Sequence, residues 1–344
     1  MEPLADEWEE LAEHTGVSPF RRPGWIGAWW RAFGKGTLEI LAMREDGRLV
    51  AVLPLGRRLG ELSSTTNWHT PDFAPVVEDA RALRALAEEL FARTPRRVSL
   101  AFVDGGEPTL PECRDAATSR GYRVLTRTLE RSPFVRIEGD WEAYQRGLSR
   151  NVRGDARRRI RRLNEVGSMS VEVNDGRERL DDLLAAGFRT EAAGWKGARG
   201  TAIASQRDTE TFYAEIAHWA AARGWLRLAF LRLDGRPVAF HYSLEHDGIH
   251  YFIKGGHDPS FDSFSPGKVL TYEMLLRAFS AGLQSYEFLG GDDPWKQMWT
   301  NSYRERMLFQ AFERSLLSSV EWTAFRYGRP LAQRLSKRLI SLRR

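Results

Sequence analysis

Two apolar-rich stretches interrupted by Asp-Gly set the pattern of the chain: Leu38 to Val52 (LEILAMREDGRLVAV) and Leu226 to Phe240 (LRLAFLRLDGRPVAF). Each predicts two strands joined by a tight hairpin turn, because Asp-Gly tolerates the left-handed backbone that such a turn requires. They share Leu, Arg, Asp-Gly-Arg, Val and Ala at a constant offset of 188 residues (38 to 226). Carried forward, the same offset lays a helix expected over Arg81 to Arg93 on one over Val269 to Ala281. It also lays a strand over Arg97 to Phe102 on one over Ser285 to Gly290. A repeated order of helix, hairpin, helix and strand implies a duplication. The expected organisation is two α/β (α+β) domains of one fold, residues 1–148 and 167–315, joined by a helix over 149–166 and followed by a tail over 316–344.

The two copies differ where the third element starts. The first opens its helix with Val77-Glu78-Asp79-Ala80, which supplies carboxylates to the free amides of a helix start, as a structural helix does. The second opens with Ser265-Pro266-Gly267-Lys268, which offers no carboxylate, a glycine that permits close approach, and a cation. That arrangement suits an external phosphate. The plain alternative is an ordinary Ser cap with Pro266 in the first turn and a solvated Lys268. The contrast between copies favours an active second domain and a degenerate first.

Charge sharpens this picture. The chain of 344 residues carries a formal charge of +5 and an excess of arginine, which points to an anionic partner. Seven arginines lie between Arg150 and Arg162, around an apolar stripe of Val152, Ala156, Ile160 and Leu163. Arg153, Arg157, Arg158 and Arg161 are candidates to bind RNA or another anion, or they form a solvated face. The stretch from Phe325 to Arg344 is basic and amphipathic, suited to a membrane surface or to packing on the domain. The single cysteine, Cys113, excludes an intramolecular disulfide and a cysteine-based zinc site. An acidic start and the lack of a long apolar window predict a cytoplasmic protein, with peripheral membrane contact at most. The histidines form no recognised metal motif, so no metal is expected.

Three further stretches carry candidate chemistry. Gly290-Gly-Asp-Asp-Pro-Trp-Lys-Gln-Met-Trp299 follows a strand, as substrate loops do. In it Lys296 is placed to neutralise a phosphate or an oxyanion, Asp292 or Asp293 to orient an amine, and Trp295 and Trp299 to line a substrate or anchor the turn. The loop after Glu191 contains Trp195 and Lys196 among three glycines and suits an acceptor, or simply connects two helices. His241, on a strand, is a candidate base or an interior histidine. No nucleophile elbow is present.

Taken together, Trp195-Lys196-Gly197, Lys254-Gly255-Gly256 with Asp258, Ser265-Pro266-Gly267 and Phe288 to Trp299 resemble the GNAT-fold acyltransferase domain of CelD-type proteins. Those proteins are associated with bacterial polysaccharide synthesis and are related to the Fem peptidoglycan aminoacyltransferases. The likeness covers residues 148–312, and the first copy resembles it in fold only. It implies tandem GNAT-like domains, each with a mixed, mostly antiparallel sheet flanked by helices. It further implies that Ser265, Pro266, Gly267 and Lys268, with Lys254, bind the pyrophosphate end of an acyl donor, and that Lys296 lies near the transferred group. Two departures stand out: Glu287-Phe288 where the family often has Asp-Phe, and Trp295-Lys296 where it often has Tyr-Lys.

The expected function is acyl transfer from acyl-CoA to an amine by direct attack, with Glu191, Asp292 or His241 as proton acceptor. The acceptor is an amine on a small molecule, glycan or peptide. A second reading keeps the fold and takes aminoacyl-tRNA as donor, gripped by the arginine helix. A third is a catalytically inactive basic adaptor at a membrane or nucleic acid.

Overall fold

The computed structural model describes residues 2–194, 200 and 202–328. Its contacts group into two compact units. Unit 1 comprises Met1–Ile26, Gly34–Leu129 and Glu305–Arg344, and unit 2 comprises Gly27–Phe33 and Glu130–Arg304.

Unit 1 begins with α1 (Glu2–Thr15); α2 (Pro23–Phe33) follows, its residues Gly27–Phe33 belonging to unit 2. Its sheet contains β1 (Thr37–Glu45), β2 (Arg48–Arg58), β3 (Glu61–Ser64), the short β4 (Val76–Val77), β5 (Arg97–Asp104) and part of β12 (Tyr303–Phe312). The order β1-β2-β3-β5-β12 is antiparallel except for the parallel pair β3/β5. Helices α3 (Ala80–Ala92) and α4 (Thr109–Ser119) pack on a core that includes Leu41, Leu53, Leu86, Phe91, Leu100 and Phe309. Strand β6 (Arg123–Arg136) runs from unit 1 into unit 2.

In unit 2 come α5 (Trp141–Gly147), α6 (Arg150–Val166), β7 (Met169–Asn174), α7 (Leu180–Ala192), α8 (Arg207–Ala222), β8 (Leu226–Leu233), β9 (Arg236–His246) and β10 (Ile249–His257). After them come α9 (Pro266–Ser280), β11 (Ser285–Glu287) and α10 (Pro294–Gln297). The order β7-β8-β9-β10-β11-β6 is again antiparallel except for one parallel pair, β10/β11. Each sheet is therefore mixed and mostly antiparallel, and helices flank both.

The offset of 188 holds in the hydrogen-bond ladders. Glu61, Leu62 and Ser63 pair with Arg97, Val98 and Ser99; Ile249, His250 and Tyr251 pair with Ser285, Tyr286 and Glu287. The predicted hairpins form at Asp46-Gly47 (φ 49° and 82°) and Asp234-Gly235 (φ 50° and 78°), the left-handed pair that joins twisted strands without splaying them. Strand β11 is shorter than expected, ending at Glu287, because Leu289 and Gly290 adopt φ 53° and 57° and turn the chain. The two edge partners were not legible in sequence: β12 pairs with β5 in unit 1, and Phe134 to Arg136 of β6 pair with β11 in unit 2. Each sheet is thus completed by a strand from the other half of the sequence.

The arginine-rich helix α6 lies within unit 2. Ala156 and Leu163 enter its core, and Val152 and Ile160 pack against it, as the apolar stripe predicted. Burying a leucine such as Leu163 contributes about 2 kcal/mol. Among the described residues no helix is long and apolar enough to cross a membrane.

Candidate functional site

The parallel pair of unit 2 lasts three residues. Beyond Tyr251 and Glu287 the strands part: β10 continues to His257 with β9 as its ladder partner, through an irregularity between Phe252 and Lys254. Two adjacent glycines follow on β10 and face opposite sides, as neighbouring strand residues must. A side chain on Gly255 would meet the Phe252 ring at 2.8 Å and His241 Cδ2 at 3.0 Å; one on Gly256 would meet Glu191 Cα at 2.6 Å. Only glycine lets α7 and the His241 side close on this strand together. The same geometry puts Glu191 and His241 on opposite faces of the sheet, so they cannot serve one reaction centre jointly.

On the α7 face, Glu191 is buried and its Oε2 accepts from Ile203 N at 2.9 Å. The Lys254 ammonium stands 5.8 Å from the centre of the Tyr213 ring, and Tyr242 donates to Tyr213 O at 2.9 Å. On the opposite face, the His241 ring packs edge-on against Phe252 at 4.5 Å, and Trp295 packs against Phe252 and Phe288 at 5.9 and 5.8 Å.

At the far end of β10 the chain turns through Pro259–Phe264 into α9. Ser265 takes the left-handed conformation (φ 49°) and makes no side-chain cap; Pro266 follows and the first turn holds no acid. The carbonyl of Ser265 accepts from Lys268 N at 3.0 Å, while the N–H of Gly267 has no partner among the described residues. Arg159 of α6 donates to Ser265 Oγ at 2.6 Å, and Arg162 donates to Ser263 O at 3.3 Å. His257 is held by Asp262 at 2.6 Å, and its Nδ1 lies 3.4 Å from where a side chain on Gly267 would begin. The Gly267 amide, Arg159 and Arg162 therefore meet at this helix start, whose first turn also carries Lys268, a field that favours an anion.

The other expected residues fall as follows. Lys296 is buried, donates to the carbonyls of Leu289 and Gly291 at 2.8 Å each, and pairs with Asp293 at 3.2 Å. Its ammonium holds its own loop closed. Asp292 is exposed, and its carbonyl accepts from Gln297 at 2.8 Å. Trp299 is a core residue, and Trp295 is half-buried. Glu287, the departure at the strand end, is gripped by Arg304 at 2.8 to 3.1 Å. On α6, Arg153 is half-buried, Arg157 is exposed, and Arg158 and Arg161 are exposed at 58% and 72%; Asp155 pairs with Arg158 and Arg159. Trp195 and Lys196 lie outside the described residues, as does the tail from residue 329. No group of three or more metal-ligating side chains occurs among the described residues.

Sequence reasoning missed several residues. Arg159 and Arg162 face the helix start, and helical spacing alone did not separate them from their neighbours. His257 belongs to His257-Asp-Pro-Ser-Phe261, which matches His69-Thr-Pro-Asp-Phe73 at the offset of 188, a signal present but unread. Buried His250 donates from Nδ1 to Glu245 at 3.0 Å, and Glu245 also accepts from Arg227 and Arg277. Burial raises the Glu245 carboxyl, but hydrogen bonds from His250 and Arg277 outweigh it and bring it to about 2.

Residues 150–297 match the model of the acetyltransferase (GNAT) domain. The second copy is thus similar to an acyltransferase domain of GNAT type over most of its length. Known structures agree in fold. The C-terminal domain (DUF2156) of a putative lysylphosphatidylglycerol synthetase from Agrobacterium fabrum superposes with TM-score 0.61 at 13% identity, over 94% of this chain and 96% of that one. FemX gives 0.60 at 13%, over 92% and 97%. A conserved protein of unknown function from Bacteroides thetaiotaomicron gives 0.56 at 10%, over 90% and 97%. No curated protein matches the chain.

Proposed function

We propose that the second copy transfers an acyl group from acyl-CoA to an amine. One observation carries this reading: the parallel pair β10/β11 parts after three residues and leads to a helix start without a cap or an acid, whereas the same pair in the first copy is tied shut. The residues at the helix start fit a pyrophosphate: Gly267 N–H and Lys268 face it, with Arg159 and Arg162 beside them. The acyl arm would run along β10 beyond Tyr251, where β11 no longer pairs with it, and the oxyanion at its carbonyl would form there.

In the reaction the amine nitrogen bonds to the acyl carbon, the carbon–sulfur bond breaks, and the sulfur leaves as a thiolate. The amine's surplus proton goes to a protein carboxylate or to water. We assign the acceptor to the α7 face, where Glu191 lies beside Gly256 and where the chain continues into the loop that carries Trp195 and Lys196. His241 then belongs to the opposite, aromatic face, and Lys296 shapes the loop. The resemblance to CelD-type proteins supports an acceptor amine from cell-envelope polysaccharide or related metabolism.

Thermal-shift titration of the protein with CoA, acetyl-CoA and longer acyl-CoAs tests this. Ligand at a hundred times its dissociation constant stabilises by about 2.7 kcal/mol. Lys268→Glu is expected to abolish that response while leaving the unliganded Tm unchanged within a degree or two. The exposure of Arg158 and Arg161 favours a second donor, aminoacyl-tRNA. No response to any CoA, together with tRNA binding that falls steeply with salt and is lost in Arg158→Glu/Arg161→Glu, replaces the first reading with the second.

A further inference from the structure

Six large hydrophobic side chains are strongly exposed among the described residues, and four of them gather in unit 1 around Arg96. Three lie on α11 (Leu316–Thr323): Leu316, Leu317 and Val320, exposed at 91%, 61% and 69%. The fourth is Leu59, exposed at 83%, in the turn between β2 and β3. Arg96 connects them, since it donates to Leu59 O at 3.3 Å and pairs with Glu321 at 2.7 Å.

Helix α11 is amphipathic in the inverted sense. Its charged and aromatic side faces the protein: Glu321 pairs with Arg96 and Arg97, the Arg123 guanidinium covers Trp322 at 5.3 Å, and Ser318 is fully buried. Just beyond the helix, Phe325 packs on Phe312 at 5.8 Å. The apolar residues, at spacing i, i+1 and i+4, are turned to solvent. A helix fixed this way round exposes its leucines by construction, because turning them inward would strip Glu321 from two arginines. Leu59 is a second, independent sign. It occupies a left-handed turn position (φ 50°) where the second copy has Asp247 (φ 48°), so an apolar side chain stands where backbone preference favours Asp, Asn or Gly.

The charge around this patch chooses its occupant. Arg58 and Arg314 are exposed beside it. From Trp322 to Arg344 the sequence contains Arg326, Arg329, Arg334, Lys337, Arg338, Arg343 and Arg344 and no Asp or Glu. An apolar face with exposed Arg58 and Arg314 beside it, on a chain whose residues 322–344 carry only positive charge, matches an anionic lipid surface, in which acyl chains meet the leucines and headgroup phosphates meet the arginines. We propose that this face of unit 1 docks on an anionic membrane, with Leu59, Leu316, Leu317 and Val320 at the boundary between headgroups and acyl chains. The proposal rests on unit 1 alone and is independent of the acyl donor.

Flotation of the full chain with phosphatidylcholine vesicles, with and without phosphatidylglycerol, tests it. The protein is expected to float with the anionic vesicles only. Leu59→Ser/Leu316→Ser/Leu317→Ser/Val320→Ser, all on exposed side chains, is expected to cut partitioning by about tenfold or more. Its Tm and its response to CoA should match those of the parent chain. Neutralising Arg334, Lys337 and Arg338 should cost about fivefold per charge at low salt. Three results would each overturn the proposal: no flotation with anionic vesicles; flotation unchanged by the four serines; or a dimer in sedimentation velocity that those serines abolish, which makes a second copy the occupant. A chain ending at Gly328 that binds a hydrophobic dye more strongly than the full chain also refutes it, because the tail then covers the leucines itself.

Discussion

In the first copy, the strands that leave the parallel pair are fastened together again: Ser64 Oγ accepts from Ala101 N at 2.9 Å, and Phe73 N donates to Phe102 O at 3.1 Å. In the second copy the matching positions are Phe252 and Leu289, and Phe261 and Gly290. Phe252 has no hydroxyl to offer, and Phe261 N turns to Asp258 O at 3.1 Å instead. Behind the fastening in the first copy lies a buried ionic cluster. Asp72 accepts from Arg21 at 2.7 and 2.9 Å, from Ser18 at 2.7 Å and from Arg306 at 2.8 Å. Its counterpart in the second copy is Ser260, which is exposed. The helix starts differ in the same direction, since Asp79 caps α3 through Ala82 N at 2.7 Å and Ser265 leaves α9 uncapped. One copy thus ties into its own fold the positions that the other leaves unfastened.

The sharpest way to break this comparison is to remove the plug. Asp72→Asn takes from buried Arg21 and Arg306 the carboxylate they share, leaving them only Glu107 and Asp104, and is expected to destabilise unit 1 by about 3 kcal/mol. Chemical denaturation measures it, and CoA binding by the second copy should survive under native conditions. The acid limb follows from the same carboxylate. Burial works to raise the Asp72 carboxyl, but Arg21 and Arg306 hold it below its ordinary value, and Glu245 in unit 2 is likewise lowered to about 2. A carboxyl with a depressed folded pKa adds stability that is fully present above the unfolded value of about 4 and is lost as pH falls toward the folded one. Both units should therefore lose Tm progressively below about pH 4.5, and Asp72→Asn should flatten that decline in unit 1.

A smaller effect separates two roles for Lys296. Lys296→Met leaves the carbonyls of Leu289 and Gly291 buried without their donor, so unit 2 should lose about 2–3 kcal/mol while CoA affinity holds. Loss of CoA affinity at unchanged stability would instead put its ammonium on the donor. The smallest effect contrasts the two helix starts. Asp79→Ala should cost about 1 kcal/mol as a lost cap, and Ser265→Ala less than about 0.5 kcal/mol, with both read from denaturant midpoints.

What could be read in the sequence was whatever local rules decide. Asp-Gly fixed both hairpins, Asp79 announced its cap, and the stripe from Val152 to Leu163 gave the buried side of α6. Pairing between distant strands follows no local rule, so the partners of β6 and β12 were invisible. The burial of Lys296 was equally hidden, because a lysine beside two carboxylates reads as a solvated group until the carbonyls of Leu289 and Gly291 turn toward it. Glu191 and His241 were grouped as rival bases since nothing in one dimension says that Gly255 and Gly256 aim them at opposite faces.

The crossing of β6 and β12 between the two halves bears on how such a chain changes over generations. A duplicated gene is ordinarily free to lose either half, or to pass one half to another protein. Here a deletion of residues 1–129 would keep the matched domain but strip β5, the partner of β12, and a deletion after residue 304 would strip β12 from the first sheet. Residues 130–304 keep their own sheet whole, but the first copy cannot be passed on as one continuous piece, because its strand β12 lies beyond the second. The first copy is thus tied to the second by its outlying strand, whether or not it performs chemistry, and that leaves its outer surface free to drift toward another task.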